Sequence, residues 1–255
     1  MMLIAVTRSV SRSIARCELT HLERVAIDLE RARRQHRAYE EALRALGVRV
    51  LPLPEEPDLP DAVFVEDTAV VLDECAVLTR PGAASRRPEV ESVARALAPY
   101  RKLYRIEAPG TLDGGDVLAV GRNVWVGLTA RSNPSAVAQL QALLRPFGIS
   151  VRAVPVAGCL HLKSAVTPAA ENTLLINPGW VRKSDFSGMD FIEVDPREPY
   201  AANILLVGEH AVYQPAYPRT LERLEAAGIH PRLIDISELA KAEGALTCCS
   251  LVFQG

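Results

Sequence analysis

Hydrophobic and polar positions along the chain follow one plan that recurs. "EDTAVVLDECAVLTRPGAASRRPEVESVARALAPY", "DGGDVLAVGRNVWVGLTARSNPSAVAQLQALLRPFG" and "AANILLVGEHAVYQPAYPRTLERLEAAG" each open on a polar residue, which in the third, Asn203, follows two alanines. Each then runs through a short β-branched stretch, a polar turn and a second apolar stretch, which predicts a hairpin. A loop bearing Arg or Pro leads on into apolar positions at helical spacing. Val90, Val93, Ala94 and Leu97 make the first stripe, with Pro88 suited to the helix start. Val137, Leu140 and Leu144 make the second, behind a capping Asn133 and Pro134. Leu221, Leu224 and Ala227 make the third, which Gly228 stops. A further strand follows each helix, as in "ISVRAV" and "HPRLIDI".

The series has further members. The stretch from about His161 to Asp195 is more irregular, yet "SAVTPAAENTLLIN" still reads as a hairpin. The last unit is split between the ends of the chain. "CCSLVF" would be its first strand, "LIAVTR" its second, "VAIDLERARRQHRAYEEALRALG" its helix and "VRVLPL" its last strand. Pairing the termini closes a ring and removes an exposed sheet edge. The pattern predicts a single α/β domain over residues 1–255, a five-bladed α/β propeller.

A ring gives the repeat chemical meaning, because equivalent positions converge on its axis. The polar residues that open the units are Glu66/Asp67, Asp113, His161, Asn203 and Cys248, at successive spacings from Asp67 of 46, 48, 42 and 45 residues. Carboxylates, a histidine and a cysteine are thereby brought together. Side chains alternate along a strand, so one of Cys248 and Cys249 faces the axis and the other packs inside the blade. The register assigns the axis to Cys248. A cysteine is more commonly buried and inert, and a histidine between Leu160 and Leu162 is more commonly a core residue; the repeat is what sets Cys248 and His161 apart. His21, His36, His210 and His230 fall on predicted helix, turn or loop and are expected at the surface.

The acids and arginines each admit two readings. Asp113 and Asp116 in "TLDGGDV" could be solvated turn residues. Alternatively, Gly114 and Gly115 permit close backbone approach while Asp113 orients an imidazole. Glu66 and Asp67 stand beside a strongly apolar strand, where acids rarely enter unpaired, so their cation is either an internal arginine or a ligand. Arg86 and Arg131 occupy equivalent loops and are either solvated or a carboxylate clamp.

Composition narrows the class. An apolar content of 49% and a charged content of 24% describe an ordinary globular protein, and a net charge of −2 argues against non-specific nucleic-acid binding. The five cysteines, Cys17, Cys75, Cys159, Cys248 and Cys249, show no CxxC spacing, so neither a disulfide framework nor a structural zinc site is expected. No apolar stretch reaches the ~18 residues of a membrane span, and the apolar run before Arg8 is too short for a signal peptide. The expectation is a cytoplasmic protein with reduced thiols and no membrane partner.

Six segments in order, "LPDAVFVEDTAV", "TRPGAASRRPEV", "TLDGGDVL", "VGLTARSN", "LHLKS" and "LTCCS", closely resemble the dimethylarginine dimethylaminohydrolase family of the guanidine-modifying pentein superfamily. The likeness runs roughly from Ile4 to Phe253. It implies a pentein propeller that hydrolyses methylated arginines to citrulline and an amine through a covalent cysteine intermediate. Cys248 would be the nucleophile, since the family pattern is Cys-x-Ser with the nucleophile first. His161 would be the general acid/base and Asp113 its orienting partner. Glu66 and Asp67 resemble the acids around the guanidinium, Asp61 the α-amino contact, and Arg86 and Arg131 the α-carboxylate contacts. Leu19 falls where the family has a mobile lid, and Ala242 where a backbone carbonyl meets the substrate, a position that often carries Val.

The chemistry fits those residues. A guanidinium carbon is a poor electrophile, a thiolate is an apt attacker, and a bound cation favours the thiolate. No metal or organic cofactor is expected, although zinc could bind Cys248 and His161 and inhibit. The oligomeric state is open, a homodimer included. Rival readings are an arginine deiminase, a non-catalytic propeller such as a ribosome-subunit anti-association factor, and a thiol redox sensor. The catalytic set argues against the second.

Overall fold

The structure, a computed structural model, describes residues 2–255 and contains five three-stranded sheets. All are built alike: the first strand is antiparallel to the second, and the second is parallel to the third. Their first strands are Ala69–Val71, Val117–Val120, Val166–Ala170, Leu205–Val207 and Leu251–Gln254. The last of these pairs Leu251 with Val6 and Gln254 with Leu3, so the termini share one blade. Leu3–Arg8 then pairs in parallel with Arg49–Leu53.

A parallel step requires a crossover. Helices Leu29–Ala45, Val90–Leu97, Pro134–Leu144 and Pro218–Ala226 supply it in four blades. Asn133 caps the third of these by accepting from the Ala136 amide, with Pro134 in its first turn. The blade that begins at Val166 crosses instead through a loop with one 3-10 turn, Lys183–Asp185, which accounts for the irregular pattern there. Helix Leu29–Ala45 starts later than its apolar pattern suggests, because the Asp28 side chain accepts from the Arg31 amide and sets the first turn.

Core packing joins neighbouring blades. Ile4, Val6 and Phe253 of the terminal blade meet Leu78, Val93 and Leu97 of the next. His36, expected at the surface, is instead buried on helix Leu29–Ala45, with its ring beside Tyr39 and Nδ1 3.9 Å from Glu40. Burial pulls its pKa down to about 4. His21, His210 and His230 are exposed.

The polar residues that open each unit do not lie in the strands, as expected, but in short turns just before them. Glu66 and Asp67 belong to the 3-10 turn Val65–Thr68, Asp113 precedes Gly114–Asp116, His161 precedes Leu162–Ala165, and Cys248 sits inside Thr247–Cys249. Turns, not strand alternation, therefore aim these side chains. Among the described residues, no helix is long and apolar enough to cross a membrane.

Candidate active site

Close backbone approach comes first. A Cβ on Gly114 would lie 1.9 Å from the Glu66 carbonyl oxygen, and one on Gly115 would lie 2.7 Å from His161 Nδ1 and 2.8 Å from Asp67 Oδ1. Only glycine lets this turn slide between the acid pair and the imidazole. His161 Nε2 then sits 3.0 Å from Asp113 Oδ2, and Nδ1 lies 3.9 Å from Asp67 Oδ1. Asp113 is fully buried and its other oxygen accepts from the Gly82 amide at 2.9 Å.

Asp116 is no solvated turn acid. It is buried and accepts from Thr129 Oγ1, Ser132 Oγ and the Leu162 amide, which fixes the residue after His161. Ser132 Oγ in turn accepts from the Asp113 amide, tying both acids of "DGGD" to one support. Burial lifts the Asp116 carboxyl to about 6.

Charge balance follows from these contacts. Burial works against the imidazolium, yet Asp67, the Asp113 bond and Asp116 together outweigh it and hold His161 at about 9. Asp67 would also rise on burial, but His161 and Arg86 hold it at about 2. The cation beside Asp67 is an internal arginine: Arg86 Nη1 donates to Asp67 Oδ2 at 2.5 Å. Its remaining bonds go to Glu89 and to the carbonyls of Asp61 and Phe64. Glu66 likewise has an internal cation, accepting from Lys163 Nζ at 2.6 Å and from Thr247 Oγ1 at 2.8 Å.

Cys248 reaches this group from the opposite end of the chain. Asn203 holds the cysteine turn, donating to Thr247 Oγ1 and accepting from the Thr247 amide. Burial, with Glu66 and Asp67 nearby, pushes the Cys248 thiol well above its ordinary range. Cys249 is in the core, its Sγ donating to the Ala245 carbonyl.

A cavity of about 20 Å³ is lined by Asp61, Asp67, Arg86, Arg131, His161, Ala242 and Cys248, together with Glu18, Phe64, Leu160, Glu243 and Gly244. Two expected contacts are not on its wall. Glu66 faces a separate cavity of about 230 Å³ beyond the axial turns, lined by the first strands of all five blades. Leu19 packs against the core cluster that contains Phe64 and Cys248, while its neighbour Glu18 reaches the cavity. Asp113 stands behind His161 and orients it. Asp116, Ser132, Glu18 and Glu243 are contributions that the pattern of the chain did not reveal. Asp116, Ser132 and Glu243 act by accepting from distant backbone amides, and Glu18 by donating its own amide to Asp61, contacts that leave no periodic trace.

Donor atoms of Asp67, Asp113 and His161 lie within 4.8 Å of one another, a spacing that could hold a metal ion. Cys248 is not in that group, and the acids already serve His161, Arg86 and backbone amides.

A family model described as "N,N dimethylarginine dimethylhydrolase, eukaryotic" matches residues 17–184. The N(G),N(G)-dimethylarginine dimethylaminohydrolase of Streptomyces coelicolor is 41% identical over 250 residues, covering 97% of this chain and 95% of that protein. The chain belongs to the dimethylarginine dimethylaminohydrolase family. The family member of Pseudomonas aeruginosa is 38% identical over 228 residues, covering 89% of this chain and 90% of its own length. A solved structure of dimethylarginine dimethylaminohydrolase from Pseudomonas aeruginosa, a cysteine-to-serine variant complexed with citrulline, superposes with a TM-score of 0.94. Identity there is 36%, with 99% of this chain and 100% of that one covered. The pentein propeller implied by the resemblance is the fold of this dimethylarginine dimethylaminohydrolase family member.

Proposed function

We propose that the chain hydrolyses Nω-methylated arginines, namely asymmetric dimethylarginine and monomethylarginine, to citrulline and dimethylamine or methylamine. The observation that carries this reading is one cavity lined by Cys248, Asp67 and an imidazole that Asp113 orients.

Each group has a step. Without substrate, the site holds a thiol and an imidazolium. The substrate guanidinium, placed beside Cys248, favours the thiolate as an opposite charge does, and the thiol proton passes to solvent. Asp67 aligns the guanidinium nitrogens, so that the carbon faces Sγ. Cys248 Sγ bonds to that carbon, and His161 gives its proton to the departing methylamine or dimethylamine as the C–N bond breaks. A thiouronium stays on the enzyme. Neutral His161 then takes a proton from water, whose oxygen bonds to the same carbon. Sγ leaves as thiolate, the remaining proton of the added water passes to solvent, and neutral citrulline is released.

Substrate recognition is assigned to Asp61 for the α-amino group and to Arg131 for the α-carboxylate. Arg86, whose bonds go to protein groups, acts mainly by holding Asp67. Ala242 contributes its carbonyl. Zinc inhibition through Cys248 and His161 belongs to the same reading, and a cytoplasmic setting fits five free cysteines.

The test is citrulline formation from asymmetric dimethylarginine, monomethylarginine and arginine side by side, with Cys248→Ser as the blank. Turnover of the methylated substrates well above arginine is expected. Turnover of arginine alone would make the chain a deiminase with the same chemistry.

A further inference from the structure

Segment 18–28 contains neither helix nor strand and is mostly exposed, yet it is tied down at several points. The densest tie is Glu243, which has a φ of 58° where other positive values belong to glycines. That backbone turns its carboxylate toward the segment, where it accepts from the amides of Thr20 at 3.0 Å, His21 at 2.5 Å and Leu22 at 2.7 Å. Glu243 also lines the cavity that holds Cys248 and His161. At about 20 Å³ that cavity takes roughly one water, so an arginine-sized molecule enters only if its cover moves.

Two of the segment's other ties compete with substrate. The Glu18 amide donates to Asp61 Oδ2 at 3.1 Å, and Thr20 Oγ1 accepts from Arg131 Nη2 at 3.1 Å. Asp61 and Arg131 are the groups assigned to the substrate's α-amino and α-carboxylate. A bound substrate takes those atoms but leaves the three bonds to Glu243 at residues 20–22, while the far end of the segment stays tied by the Asp28 amide to Glu238 and by Lys241 to the Ala26 carbonyl.

We propose that Glu243 is the latch that keeps segment 18–28 closed over the site, before and after substrate has displaced the ties to Asp61 and Arg131. The catalytic part of this proposal rests on reading the cavity as the active site. Glu243 is a positioning residue, acting through the segment rather than on the reacting atoms.

The test compares wild type with Glu243→Gly and Glu243→Gln. Glycine accepts the positive φ without strain, so its effect is the loss of the carboxylate rather than of the fold. Amide exchange without substrate is expected to be about tenfold faster across residues 20–22 in Glu243→Gly, as expected on losing charged acceptors. Glu243→Gln, which keeps an acceptor oxygen, should fall between, and strand Asn123–Leu128 should not change. In citrulline assays, KM for dimethylarginine should rise by about tenfold in Glu243→Gly, with kcat no lower than wild type. Unchanged exchange in the segment would overturn the latch. Faster exchange with unchanged KM would overturn its part in catalysis. If wild type turned over no guanidine while exchange behaved as expected, the reading of the cavity would fail and the latch itself would stand.

Discussion

At the scale of residues, protons decide what the site can do. His161 stands at about 9 against an ordinary value of 6.5, whereas the Cys248 thiol is pushed up. The free site thus sets an imidazolium beside a protonated thiol, and in the proposed reaction the missing positive charge beside sulfur is the one the substrate carries. The raised imidazolium also stabilises the fold. A pKa raised on folding contributes stability that is complete below about 6.5 and lost as pH rises through about 9. The contribution is on the order of 3 kcal/mol. Denaturant titrations should therefore show wild type losing about that much more than His161→Gln between pH 6 and pH 9.5. Parallel profiles would remove the charge assignment. The same variant should be almost inactive with its fold intact.

At the scale of elements, short turns carry the chemistry. Gly115→Ala would push a methyl against His161 and Asp67, both held by other bonds. A displacement of about 1 Å in such a site costs on the order of a hundredfold in rate. Gly121→Ala is the control: φ is 57° there and nothing lies within 4 Å of the added methyl, so only backbone strain of about 1 kcal/mol is expected, with activity retained. Citrulline assays and thermal melts on both variants separate the two cases; equal activity would show that the turn has room to give. Hairpins and crossover helices were legible because apolar spacing reports burial. The axial turns were not, since a 3-10 turn of polar residues has no period to read. Strand alternation thus picked out Cys248 through a geometry that the turn Thr247–Cys249 does not have. His36 was misplaced for a related reason: it lies on the face of Tyr39 and Leu43, but its polarity masked the helical spacing.

At the scale of the molecule, ring closure explains how Cys248, so near the end of the chain, comes to stand beside Asp67 and His161. Leu251–Gln254 pairs with Leu3–Val6, so the turn before it is anchored in a closed blade rather than at a free end. The split blade could be read from the repeat, and with it the convergence of Asp67, Asp113, His161 and Cys248. The ion pairs, such as Arg86 with Asp67 inside one unit or Lys163 with Glu66 between two, could not, because partner choice among charged residues depends on positions in space. The central claim is that this convergence makes Cys248 the covalent nucleophile toward methylated arginine. It is tested most directly by acid-quenching the protein during turnover of asymmetric dimethylarginine and mapping the adduct by mass spectrometry. The account predicts a thiouronium adduct on Cys248 in wild type and in Cys249→Ser, and none in Cys248→Ser. An adduct that vanishes in Cys249→Ser and persists in Cys248→Ser would contradict it.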